Sequence, residues 1–145
     1  MQAQLKEKET QTGSRPFYFP HGLPGLEGHH YFDLGFLSEP VFFLMRSTHQ
    51  EELTLYLVDP FPFFPGYTVE LTDREKEQLQ LEKREDLLVL TTVTVQEDKK
   101  LYTNLAAPIL FNVPGRQAFQ MIMEDRLDQK RVLLQKPSAG EDASE

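Results

Sequence analysis

The stretch from Asp86 to Gln96 narrows the possible folds more than any other. Leu87, Val89, Val93 and Val95 alternate with Leu88, Leu90, Thr92 and Thr94. Period-two alternation of β-branched and aliphatic residues suits a pleated strand and is wrong for a helix, whose faces repeat every 3.6 residues. Shorter runs of the same kind fall at Arg15 to Phe19, Tyr31 to Leu37, Val41 to Arg46 and Leu53 to Val58. Others follow at Leu101 to Asn104, Ile109 to Val113, Gln117 to Met123 and Val132 to Leu134. Turn signals separate them: Pro20 to Glu27, Ser38-Glu39-Pro40, Glu97 to Lys100 and Pro114-Gly115. The spacing predicts an all-β chain, mostly antiparallel and a single domain. Leu55, Leu57, Val89, Val93, Ile109 and Ile122 are its expected core.

One segment breaks the pattern. Thr72-Asp73-Arg74-Glu75 has the form of a capping box, in which Thr72 accepts from the amide of Glu75 and the Glu75 carboxylate reaches back. It predicts one short helix over Asp73 to Leu79. The chain of 145 residues suits one core and not two. The expected organisation is a flexible charged N-terminal segment over 1–14, a β domain over 15–135 and a disordered acidic tail over 136–145. That tail has no bulky apolar residue to offset the entropy of ordering.

Composition removes whole classes of chemistry. There is no cysteine, so disulfides, thiolate catalysis and Cys-ligated metals are all excluded, and a reducing cytoplasm is the expected setting. No run of 18 apolar residues offers a membrane span, and Met1 to Ser14 lacks the apolar core of a secretion signal. The formal charge of −8 opposes direct binding to nucleic acid and favours a basic protein partner.

The side chains that could carry a reaction are scattered. His21, His29, His30 and His49 have no metal-ligand spacing, and adjacent His29 and His30 point to opposite faces of a strand. Ser38, Ser47 and Thr48 lack a nucleophile elbow, and Gly22, Gly25 and Gly28 lie in a Pro-broken loop, not a phosphate cradle. The carboxylates from Glu70 to Glu85 interleave with Arg74, Lys76, Lys83 and Arg84, as on a solvated helix face. No cofactor is expected. A small β-barrel hydrolase or isomerase using His and carboxylate groups is the alternative, and it requires two or more of those histidines to meet carboxylates in a pocket.

Two segments look built for contact. Asp59-Pro60-Phe61-Pro62-Phe63-Phe64-Pro65-Gly66-Tyr67 and Thr103-Asn104-Leu105-Ala106-Ala107-Pro108-Ile109 each follow a strand. The prolines cannot donate to a sheet ladder, so they indicate an edge or rim, where apolar groups are candidates for partner contact. Most Phe side chains are core, and Phe61 and Phe63 are read so first, with Phe64 the candidate for the rim. Asn104 is expected to satisfy backbone groups at a turn.

Those two segments, with Phe19-Pro20-x-Gly22-Leu23-Pro24-Gly25-x-Glu27 and the Leu87 to Val95 run, resemble the flagellar assembly factor FliW family from about Arg15 to Leu134. Leu26 stands where the family usually has Phe, and the charged Met1 to Ser14 replaces the family's usual opening strands. The resemblance implies a cytoplasmic β-barrel-like protein that is not an enzyme. It implies two partners, flagellin and the RNA-binding translational repressor CsrA, met by a monomer that forms heteromeric complexes. Binding CsrA would relieve repression of flagellin mRNA, and flagellin would displace it. The expected partner-binding residues are Phe61, Phe64, Tyr67, Asn104, Leu105 and Ile109 on the apolar side. On the acidic side they are Glu70, Asp73, Glu75 and Glu77.

Overall fold

The computed structural model describes residues 2–3, 15–37 and 41–135. The period-two runs form nine strands among them: β1 (Phe17–Tyr18), β2 (Tyr31–Phe36), β3 (Phe42–Ser47), β4 (Thr54–Val58), β5 (Leu87–Val95), β6 (Leu101–Thr103), β7 (Ile109–Asn112), β8 (Gln117–Gln120) and β9 (Val132–Leu133). One helix, α1 (Asp73–Leu79), joins β4 to β5. Its box is complete: Glu75 N donates to Thr72 Oγ1 at 3.2 Å, and Thr72 N donates to Glu75 Oε1 at 2.9 Å. Of the expected 1–14 segment Gln2 and Ala3 are docked, whereas Met1, 4–14, the expected Ser38-Glu39-Pro40 turn and the 136–145 tail lie outside the described residues.

The strands lie in the order β4-β3-β2-β1-β8-β7-β5-β6-β9, and β4 also pairs with β5. That extra pairing closes seven strands into a ring and leaves β6 and β9 as a flap continuing from β5. Long β5 makes closure possible by pairing with β7 at Leu87 to Leu90 and with β4 at Thr91 to Val93, and it carries the flap by pairing with β6 at Val93 to Val95. The ring is not wholly antiparallel. β1 runs parallel to β8, and one residue pair, Tyr18 with Gln117, joins them.

Alternation sends one face of every ring strand inward. Phe17, Phe19, Phe32, Leu34, Phe43, Met45, Leu57, Leu88, Leu90, Ile109 and Phe111 fill the interior. Phe17 and Phe19 meet Phe111 edge-on, with centroids 5.0 and 6.1 Å apart. Leu26 packs against this interior and is half-buried.

A second apolar layer lies outside the ring. Leu87, Val89, Leu110 and Met121 project outward from β5, β7 and the end of β8, and Tyr67, Val69, Leu79 and Leu105 cover them. The first half of β5 is thus buried on both faces, which explains its unbroken apolar run. Two expected core residues lie elsewhere. Val93 is half-buried on the outer face beside Tyr56, because the second cover stops short of it. Ile122 is 52% exposed, because it follows the end of β8 at the rim.

Candidate functional site

The two Pro- and aromatic-rich segments meet in the outer layer. β4 ends where Asp59 Oδ1 accepts the Phe61 amide at 3.1 Å and the Gln2 side-chain amide at 3.3 Å. Pro60 O then accepts from Phe63 N and Phe64 N at 3.1 and 2.9 Å, and Phe64 O accepts from Tyr67 N at 2.9 Å. These consecutive turns need no donor from any proline ring, so the segment is rigid without being part of a ladder.

Tyr67 ties one segment to the other. Its hydroxyl donates to Leu105 O at 2.7 Å, across 38 residues of sequence. Burial pushes the phenol pKa up to about 12 against the opposing pull of Arg126. The Arg126 guanidinium stands 5.3 Å from the Tyr67 ring centroid and donates to Thr68 Oγ1 at 3.2 Å. On the other side Leu105 N donates to Gln129 O and Met123 N to Ala106 O, while Asn104 Oδ1 accepts the Ala106 amide at 2.9 Å. Asn104 therefore has the turn role its side chain suggests.

The expected contact residues divide by depth. Phe61, Phe64 and Asn104 are half-buried, whereas Tyr67 and Leu105 are buried in the outer layer and Ile109 is sealed inside the ring. Phe64 borders an open groove of about 570 Å³ with Phe63, Leu105, Arg126 and Val132. A partner entering it would touch Phe64 directly, with Tyr67 and Leu105 as its floor. Ile109 has no surface to offer, since its side chain points into the barrel. Glu70, Asp73 and Glu77 are exposed, whereas Glu75 is half-buried with its carboxylate turned back onto the Thr72 amide.

His21 and His30 line an open groove of about 460 Å³ together with Glu27, but among the described residues no hydrogen bond joins either ring to that carboxylate. His29 Nδ1 lies 2.8 Å from Ser47 Oγ, and that oxygen also accepts from the amides of His49 and Gln50 at 3.1 and 3.4 Å. A serine 2% exposed and bound to three partners holds a turn and cannot reach a substrate. His30 Nδ1 lies 2.7 Å from Phe19 O, and a carbonyl only accepts, so that nitrogen carries the proton. Among the described residues no three His, Asp or Glu side chains group as metal ligands, and no helix is long and apolar enough to cross a membrane.

Three contributors carry no signal in the sequence. Gln2 and Arg126 act through side chains brought from distant segments. Asn112, on β7, donates its Nδ2 to Leu79 O and Gln80 O at 2.9 and 3.0 Å, capping the end of α1 from the barrel wall.

The family model described as FliW protein matches residues 2–134, so the match includes Gln2 and Ala3. The flagellar assembly factor FliW of Moorella thermoacetica is 34% identical over 130 residues, spanning 88% of this chain and 82% of that protein. The one from Bacillus licheniformis is 33% identical over 142 residues, spanning 97% and 92%. A crystal structure of the flagellar assembly factor FliW superposes with a TM-score of 0.71 at 28% identity, covering 90% of this chain and 86% of the other.

Proposed function

The chain belongs to the FliW family and so has a role in flagellar assembly, and on that premise we propose that it works by binding two proteins in turn without catalysis. Flagellin is captured at the apolar groove beside Phe64, and the RNA-binding repressor CsrA is captured through the acidic surface. Flagellin accumulating in the cytoplasm occupies the protein and frees CsrA to repress flagellin mRNA, and export of flagellin reverses the exchange. Mass action among three proteins is sufficient, provided that the two complexes are mutually exclusive or negatively coupled.

The observation that carries the reading is the half-buried aromatic rim on a rigid, hydrogen-bonded base. A pre-organised apolar groove loses little entropy when an amphipathic segment enters, and a central aromatic ring is the usual anchor of such a contact. The charge of −8 would speed encounter with a basic RNA binder and repel RNA from the complex. Buried Tyr67 and Leu105 serve this site from below, by fixing the shape of the groove, whereas Ile109 lies inside the ring and takes no part in it. Glu70, Asp73 and Glu77 are the free acids for CsrA, since Glu75 is engaged by its own helix.

The test is capture of purified CsrA on the immobilised chain with increasing flagellin. CsrA is expected to be retained alone and released in proportion to flagellin bound. Retention of CsrA at saturating flagellin would refute exclusive exchange, and failure to retain either partner would refute the reading as a whole.

A further inference from the structure

The edge of β5 beside α1 is filled in an unusual way. β5 from Leu87 to Leu90 turns one edge to β7, and β4 covers the opposite edge only from Thr91 onward. β4 cannot extend further because Asp59-Pro60 turns the chain away. The Leu87 N–H is bonded to Arg84 O, but the Leu87 carbonyl and both backbone groups of Val89 would thus be left unpaired in a buried layer, at a cost of about 1–3 kcal/mol for each unsatisfied group.

The N-terminus supplies the missing partner. Ala3 N donates to Leu87 O at 2.8 Å. Gln2 Oε1 accepts the Val89 amide at 2.6 Å, and Gln2 Nε2 donates to Val89 O. A primary amide carries the same donor and acceptor as a peptide group, so the Gln2 side chain occupies the position of a peptide bond in a neighbouring strand. The same Nε2 reaches Asp59 Oδ1, which in turn holds the Phe61 amide. Beside this edge is an open groove of about 710 Å³ lined by Phe61, Tyr67, Val69 and Leu71, with Lys76 and Arg84 at its rim.

We infer that the β5 edge from Leu87 to Val89 is a docking site for an extended peptide segment, and that Gln2 and Ala3 are its resident occupant in the free protein. The ligand class follows from the bonds. An extended chain reproduces the bond to Leu87 O with an N–H, reproduces both bonds to Val89 with one peptide group, and lays an apolar side chain against Phe61 and Val69. A helix cannot do so, because its peptide groups are already paired. Exchange of the occupant is felt at the aromatic loop, since Gln2 is bonded to β5 and to Asp59 together. The site is distinct from the Phe64 groove, although Tyr67 borders both, and the inference does not rest on which partner binds at that groove.

The test uses the full-length chain with Gln2→Ala and Ala3→Pro, which remove the amide mimic and the N–H to Leu87 O. The probe is a capped synthetic peptide of residues 1–6, and the readout is hydrogen exchange at individual amides. Exchange at Val89 is expected to rise at least about tenfold in the variant while Leu90 and Phe111 keep their protection, as for local opening of one edge. Added peptide is expected to restore protection at Val89, and the wild type is expected to need at least about tenfold more peptide because its own N-terminus competes. Unchanged exchange at Val89 overturns the resident occupancy. So does equal peptide affinity in the two proteins, and exposed Val89 that the peptide fails to protect overturns the peptide site. If the double variant does not fold, Gln2→Ala alone is read by the same criteria.

Discussion

Tyr67 shows how one side chain joins two distant motifs. Its ring lies against Phe61 at 5.7 Å and its hydroxyl is bonded to the Leu105 carbonyl. Tyr67→Phe keeps the ring and leaves that carbonyl unpaired in a buried layer, so a loss of about 1–3 kcal/mol is expected in denaturant unfolding at neutral pH. The pH dependence has a definite sign. The folded pKa is raised from 10.0 to about 12, so the hydroxyl's contribution is full below about pH 10 and is lost as pH rises toward 12. The stability gap between wild type and Tyr67→Phe should therefore be constant up to about pH 9 and close between 10 and 12; a gap that widens would mean the phenolate is favoured in the fold. Phe64 offers the contrasting case. Being half-buried at the groove, Phe64→Ala should lower the melting temperature less than Phe111→Ala, whose site at the ring centre predicts about 3–5 kcal/mol. The same Phe64 variant should weaken flagellin binding by about 1–3 kcal/mol, the scale of an aromatic anchor. An unchanged affinity would remove Phe64 from the contact.

Between residue and whole, α1 is seven residues long and would not persist alone. It is held at one end by its own capping box, along its length by fully buried Leu79, and at the other end by Asn112 from β7. Thr72→Ala should cost about 0.5–2 kcal/mol through the lost cap. Gly115→Ala should act on the same helix from a distance. A Cβ at Gly115 would lie 2.7 Å from Asn112 Nδ2, so the amide must move off Leu79 O and Gln80 O. Both Gly115→Ala and Asn112→Ala should raise amide exchange in the last turn of α1, and a change confined to the Pro114 turn would disprove the link. The cap was legible in the sequence because both its members lie within four residues, and so were the strands, because alternation is local. Asn112 and Gln2 were not legible, since their partners are 33 and 87 residues away. Val93 and Ile122 were misread as core for a related reason. Alternation tells which residues share a face but not where the covering layer ends.

At the scale of the molecule, the acidic charge and the ring dominate. With −8 overall, association with CsrA should slow as salt rises, and Glu70→Gln with Asp73→Asn and Glu77→Gln should flatten that dependence. Stopped-flow association rates at several ionic strengths measure both, and a salt-independent rate would count against electrostatic capture. Closure of the ring could not be read from the sequence, because it rests on β5 pairing with both β7 and β4 and on a parallel contact no hairpin rule anticipates. That parallel contact has a consequence for how the protein is made. It joins Tyr18, in the first strand, to Gln117, in the eighth. A chain emerging from the ribosome exposes Phe17 and Phe19 first and cannot enclose them until β7 and β8 have followed. Until β8 docks beside β1 the sheet is open along that seam, and the rings of Phe17 and Phe19 lack the cover the closed ring gives them.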